Sequence, residues 1–154
     1  MNAMRIARRA SALVLATALL GACGNPLGGD DEDEPNVAGV SVTVGTTTVA
    51  LGPSGQSGPL SLATGVSHSA TIRALNAVGT DDPVVAENPG DFEIRITQDG
   101  VTRFSQTGTS YPFAGTITTG AEVGPAVYRI AVYSTAHGHE EGFGFLTVTV
   151  TEAP

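Results

Sequence analysis

An all-β fold, two stacked sheets forming a sandwich, follows from three features of the sequence. From Val37 onward, apolar and polar residues alternate with a period of two in one short segment after another. Gly, Pro, Asn and Asp interrupt these segments at close intervals, and no window sustains a helical repeat. About seven short strands separated by turn residues suit a two-sheet β-sandwich.

The segments follow in order. "VSVTV" places Val40, Val42 and Val44 on one face, and "TTTVAL" adds Val49 and Leu51. "HSATIRAL" sets His68, Ala70, Ile72 and Ala74 against Thr71 and Arg73. "DFEIRITQDGVTRF" sets Phe92, Ile94 and Ile96 against Glu93, Arg95 and Thr97. Its Asp99-Gly100 pair predicts a tight hairpin, because both residues tolerate the positive φ that such a turn demands. "FAGTITT" puts Phe113, Gly115 and Ile117 on one side. "AVYRIAVYS" opposes Tyr128, Ile130 and Val132 to Arg129, Ala131 and Tyr133, and "FGFLTVTV" opposes Leu146, Val148 and Val150 to Phe145, Thr147 and Thr149.

Residues 38 to 150 resemble bacterial immunoglobulin-like domains in order and content. The opening "VSVT", the stretch "SATIRALNAVGTDD", the strand Gly124-Pro125-Ala126-Val127-Tyr128-Arg129-Ile130-Ala131-Val132 and the final "TVTV" carry the likeness. Asn76-Ala77-Val78-Gly79 stands where that family has Asp-x-x-Gly. The resemblance implies an immunoglobulin-like β-sandwich. In that strand order, the loop after the second strand and the loop between the last two strands share one pole.

Ahead of the domain, Arg5, Arg8 and Arg9 precede the apolar run "SALVLATALL", which suits a secretory signal peptide over residues 1–22 and is too short to span a bilayer. Leu20-Gly21-Ala22-Cys23 resembles the lipobox of bacterial lipoproteins. That likeness implies cleavage before Cys23, acylation of its thiol and anchorage of the mature chain in a membrane. With Gly24 rather than Asp after the cysteine, it points to the outer membrane. Several acyl chains hold a small domain at a bilayer, since each buried methylene contributes about 0.8 kcal/mol.

Residues 23–36 then read as a disordered acidic linker, with five consecutive acids from Asp30 to Glu34. Such a tether reaches on the order of 20 Å. Cys23 is the single cysteine, so the domain at 37–154 has no disulfide and must be held by core burial. With three of the seven arginines in the signal segment, four remain against fifteen acids, a net charge near −11. That balance repels phosphate backbones and excludes nucleic acid as a partner.

"STAHGHEEGF" holds the chemistry. His137, His139, Glu140 and Glu141 sit in the predicted last hairpin loop, and the shared pole would bring Asp81 and Asp82 toward them, along with Glu87 and Asp91. Imidazole nitrogens favour Zn²⁺ or Cu²⁺, and in an extended segment His137 and His139 point the same way, toward one ion. The competing reading is a solvated hairpin loop. The acidic loop at 79–91 lacks the alternating carboxylates of a calcium loop. His68 reads as a strand-edge residue bonded to a neighbouring carbonyl.

No Gly-x-Ser-x-Gly elbow, phosphate loop or paired catalytic carboxylates occur, so the chain is not expected to be an enzyme. Phe143, Phe145 and Tyr133 form either a cross-strand aromatic cluster or a patch for an envelope protein partner. The expectation is a lipid-anchored, extracytoplasmic module with a non-catalytic binding or structural role in a bacterial cell envelope. The alternative is a metal-binding protein that uses the His-x-His-Glu-Glu loop.

Overall fold

A computed structural model describes residues 34–154. The expected signal peptide at 1–22, Cys23 and most of the expected acidic linker lie outside the described residues. Among the described residues, eleven strands form two sheets. They are β1 (Gly39–Val44), β2 (Thr47–Gly52), β3 (Gly55–Gln56), β4 (Leu60–Ala63), β5 (Ser67–Leu75), β6 (Phe92–Gln98), β7 (Val101–Thr102), β8 (Phe104–Gln106), β9 (Phe113–Thr118), β10 (Gly124–Ser134) and β11 (His139–Thr151).

One sheet runs β3-β2-β1-β5-β9-β8 and the other β4-β11-β10-β6-β7. Within them, β1-β5-β9-β8 faces β11-β10-β6-β7, the strand order of an immunoglobulin-like sandwich. The count exceeds the expected seven because β3, β4, β7 and β8 are only two to four residues long and carry too few positions to display alternation. β4 lies parallel to the end of β11 and covers an edge that would otherwise expose unpaired backbone groups.

Alternation decides what is inside. Val40 and Val42 of β1, Ile72 of β5, Ile96 of β6, Phe113 of β9, Tyr128, Ile130 and Val132 of β10, and Leu146 and Val148 of β11 are all buried in one continuous core. At about 25 cal/mol per Å² of apolar surface removed from water, this core is what holds a disulfide-free domain together. Gly115 belongs to it for lack of room, since a Cβ there would lie 2.3 Å from the Phe104 ring and 2.5 Å from the Ser105 carbonyl oxygen. The β6–β7 turn is the predicted one, with φ of 50° at Asp99 and 78° at Gly100.

Between β5 and β6 the predicted loop contains a helix, α1 (Pro83–Glu87), too short to show periodicity. Its start is nonetheless written in the sequence, because Asp82-Pro83 is an N-cap followed by proline in the first turn. Among the described residues no helix is long and apolar enough to cross a membrane.

Candidate metal centre

The β10–β11 hairpin carries the site at its tip. Thr135 to Gly138 form the turn, which closes when the Gly138 N–H donates to the Ser134 carbonyl at 2.9 Å with Gly138 at a φ of 75°. A side chain at 138 would resist that left-handed conformation, so glycine belongs there. His137 therefore sits in the turn and His139 on the first residue of β11. The expected extended His-x-His pair is replaced by a pair folded together across Gly138, with ring centroids 5.6 Å apart and planes at 29°.

Glu141 reaches the same place through a β-bulge. Val132 pairs with Gly142 while Tyr133 pairs with Glu140, which leaves Glu141 as the extra residue. Its side chain is only 8% exposed. One carboxylate oxygen, Oε1, lies 3.2 Å from His137 Nδ1 and 3.5 Å from His139 Nδ1. One donor atom from each of the three residues falls within 4.8 Å of the others.

An ion at about 2.0 Å from tetrahedral donors sets those donors about 3.3 Å apart. Both His–Glu separations are close to this spacing, and both imidazoles are exposed. A largely covered carboxylate faced by imidazoles rather than arginine lacks a permanent counter-charge. A divalent ion would supply one.

The other expected ligands are committed elsewhere. Glu140 is held by Arg129 of β10, whose Nη1 donates to Oε1 at 2.7 Å and whose Nη2 donates to Oε2. These hydrogen bonds hold the Glu140 carboxyl below the ordinary carboxylate range. Asp81 accepts from Arg73 Nη1 at 2.6 Å. Asp82 is 1% exposed and structural, since its carboxylate accepts from Val85 N at 3.1 Å as the cap of α1 and from Asn36 N at 2.9 Å. In the structure Glu140 and Asp81 thus make ion pairs with arginines, and Asp82 caps a helix.

The two loops do share a pole, as the immunoglobulin-like order implies. The Thr135 N–H and hydroxyl both donate to the Asp91 carbonyl, at 2.8 and 3.0 Å. The entering chain contacts both Asp82 and β11. Asn36 bonds Asp82 and Ala38 N donates to the Leu75 carbonyl, while Val37 packs against the α-carbon of Gly142. His68 stands apart from the site, with its Nε2 3.0 Å from the Ala63 carbonyl oxygen.

Below the tip, the outer face of the β10–β11 sheet carries an aromatic and arginine cluster. Phe143 and Phe145 meet edge to face at 5.9 Å, Arg129 lies over Phe143 at 4.7 Å and Arg95 over Tyr133 at 3.3 Å. The two phenylalanines are 55% and 58% exposed. Comparison with family models, curated proteins and solved structures gives no match, so function is read from this geometry alone.

Proposed function

We propose that this chain is a non-catalytic, lipid-anchored module of a bacterial cell envelope that binds a divalent transition-metal ion, Zn²⁺ or Cu²⁺, at the tip of its last hairpin. The observation that carries the metal reading is the convergence of His137, His139 and Glu141, whose donor atoms lie within 4.8 Å of one another. Two neutral imidazoles and one carboxylate make a donor set of the borderline kind that favours these ions over Ca²⁺ or Mg²⁺. The lipobox-like residues at 20–23 and the preceding apolar run support anchorage outside the cytoplasm.

Calorimetric titration of the mature chain with Zn²⁺ and Cu²⁺ tests the site. Micromolar binding that disappears in a His137→Ala/His139→Ala variant is the expected result. Absence of heat in both proteins would remove the metal reading.

A second reading is favoured by the exposure of Phe143 and Phe145, which presents apolar surface to an envelope protein. Replacing Phe145 by Ser would then abolish capture of that partner while leaving the metal titration unchanged.

A further inference from the structure

We propose that the Tyr133 hydroxyl is the fourth donor of the cation site formed by His137, His139 and Glu141, and that the completed site selects Cu²⁺ over Zn²⁺. This rests on the metal reading above. Two imidazole nitrogens and one carboxylate oxygen leave a position open on a four-coordinate ion. Among the described residues no further histidine or carboxylate joins the three, and the neighbouring Glu140 is held by Arg129.

Strand register brings Tyr133 to this place. Ser134 of β10 pairs with His139, Tyr133 with Glu140 and Val132 with Gly142. At the bulge two residues of β11 therefore oppose one of β10, so Glu141 faces Tyr133 as well. The side chain then runs toward the turn. A Cβ at Gly138 would lie 3.9 Å from Tyr133 Oη, and Gly138 is the residue between the two histidines. Tyr133 thus has its backbone opposite Glu141 and its hydroxyl beside the His137–His139 link.

Arg95 fixes the ring in that pose. Its guanidinium carbon lies 3.3 Å from the Tyr133 ring centroid, and the guanidinium is itself held by Glu93. A cation seated on the ring face restrains the ring and keeps its hydroxyl directed at the tip. The exposed aromatics further along β11, Phe143 and Phe145, carry no donor atom. This face offers a phenol oxygen only where the histidines are.

Donor chemistry then names the ion. A phenol oxygen ligates in its deprotonated form, so one proton passes to solvent as the metal–oxygen bond forms. The two anionic oxygens match the double charge of the ion. With two imidazoles they make an N,O set that suits the tetragonal geometry of Cu²⁺, which also ranks above Zn²⁺ in intrinsic affinity.

The test is titration of the mature chain with Cu²⁺, followed by calorimetry and by visible absorption, where a phenolate bound to Cu²⁺ gives a charge-transfer band. Calorimetry with Zn²⁺ runs in parallel. The comparison covers the native chain, Tyr133→Phe, the His137→Ala/His139→Ala variant and Tyr111→Phe as a control. Tyr111 donates to the Ala74 carbonyl at 3.1 Å and takes no part in the hairpin tip. Thermal unfolding in chelator establishes that each variant folds.

The expected result is a band in the native chain and in Tyr111→Phe that is lost in Tyr133→Phe. Cu²⁺ affinity in Tyr133→Phe falls by about ten-fold or more, and its preference for Cu²⁺ over Zn²⁺ narrows. No band in the copper-loaded native chain, or native Cu²⁺ affinity in Tyr133→Phe, with binding lost in the histidine variant, would overturn the proposal and leave the metal site standing. A band that persists in Tyr133→Phe, or disappears in Tyr111→Phe, would put the bond on another tyrosine and overturn it too. An unchanged preference between the two ions in Tyr133→Phe would overturn the selectivity. No binding in any protein would overturn both the proposal and the metal reading.

Discussion

Arg129 grips Glu140 through both of its terminal nitrogens while its guanidinium carbon lies 4.7 Å above the centre of the Phe143 ring. The relationship depends on the bulge at Glu141, which turns Glu140 onto the outer face of the sheet and leaves Glu141 for the histidines. One inserted residue thus divides two adjacent carboxylates between a structural ion pair and a candidate metal site. Without it, the two would exchange faces.

The pair sets an acid dependence. Glu140 has a folded-state pKa below its ordinary value of 4.5, so its stabilisation is fully present above that value and is lost as pH falls through the folded value. The side chains are 35% and 34% exposed, so solvent screening limits the effect to no more than about 1 kcal/mol. Thermal unfolding in chelator between about pH 5 and pH 3 should show a smaller loss of stability in Glu140→Gln than in the native chain. Parallel losses would mean the pair contributes nothing.

Asp82 separates stability from ligation. Replacing it by Ala removes the cap of α1 and the acceptor for Asn36 N, at a cost of about 1–2 kcal/mol, while leaving Zn²⁺ affinity at the native value. Chemical denaturation and calorimetry on the same variant check both halves. A drop in metal affinity comparable to that of a histidine variant would return Asp82 to the site.

The sandwich was legible because it rests on repetition. Val40, Ile72, Ile96, Ile130 and Leu146 each fall in phase with neighbours on the same strand, and the Asp99-Gly100 turn has the residue types its backbone requires. The site was half legible. His137 and His139 marked a candidate site by type and spacing, but which carboxylate lies beside them depends on a register slip at one residue, and periodicity does not reveal a bulge. Asp81, Asp82 and Glu140 were assigned by proximity to a pole. The partners they have in the structure, Arg73, the start of α1 and Arg129, follow from side-chain directions that appear only once the strands are in register. For Asp82 the signal was present in the Asp-Pro step.

Gly115 tests how tightly edge strand β8 packs against its neighbour β9. An Ala there puts a Cβ 2.3 Å from Phe104 Cζ and 2.5 Å from the Ser105 carbonyl oxygen, so β8 must move away from β9. The expected loss is about 3 kcal/mol, at the upper end for overpacking because one of the clashing atoms is backbone. Adding Phe104→Leu should recover only part of it, since the ring clash is relieved and the carbonyl clash is not. Full recovery in a denaturant titration of the double variant would show that the strand backbone adapts freely.

Tyr128 is the largest side chain enclosed in the core, and its hydroxyl lacks a hydrogen-bond partner of good geometry. Burial pushes its ionisation upward, against weaker opposing effects of Arg103 and of the Gly120 backbone. Gln98 Oε1 and Arg103 Nε are likewise enclosed without partners, and both side chains border Gly120. A buried hydroxyl that makes no bond carries a desolvation cost of about 1–3 kcal/mol, whereas a made bond contributes about 1 kcal/mol. Tyr128→Phe removes that cost and leaves the ring in place. The variant should therefore unfold at the native midpoint or above it. A loss beyond about 1 kcal/mol would show instead that the hydroxyl is bonded to the Gly120 backbone in solution and pins the start of β10 to the preceding loop.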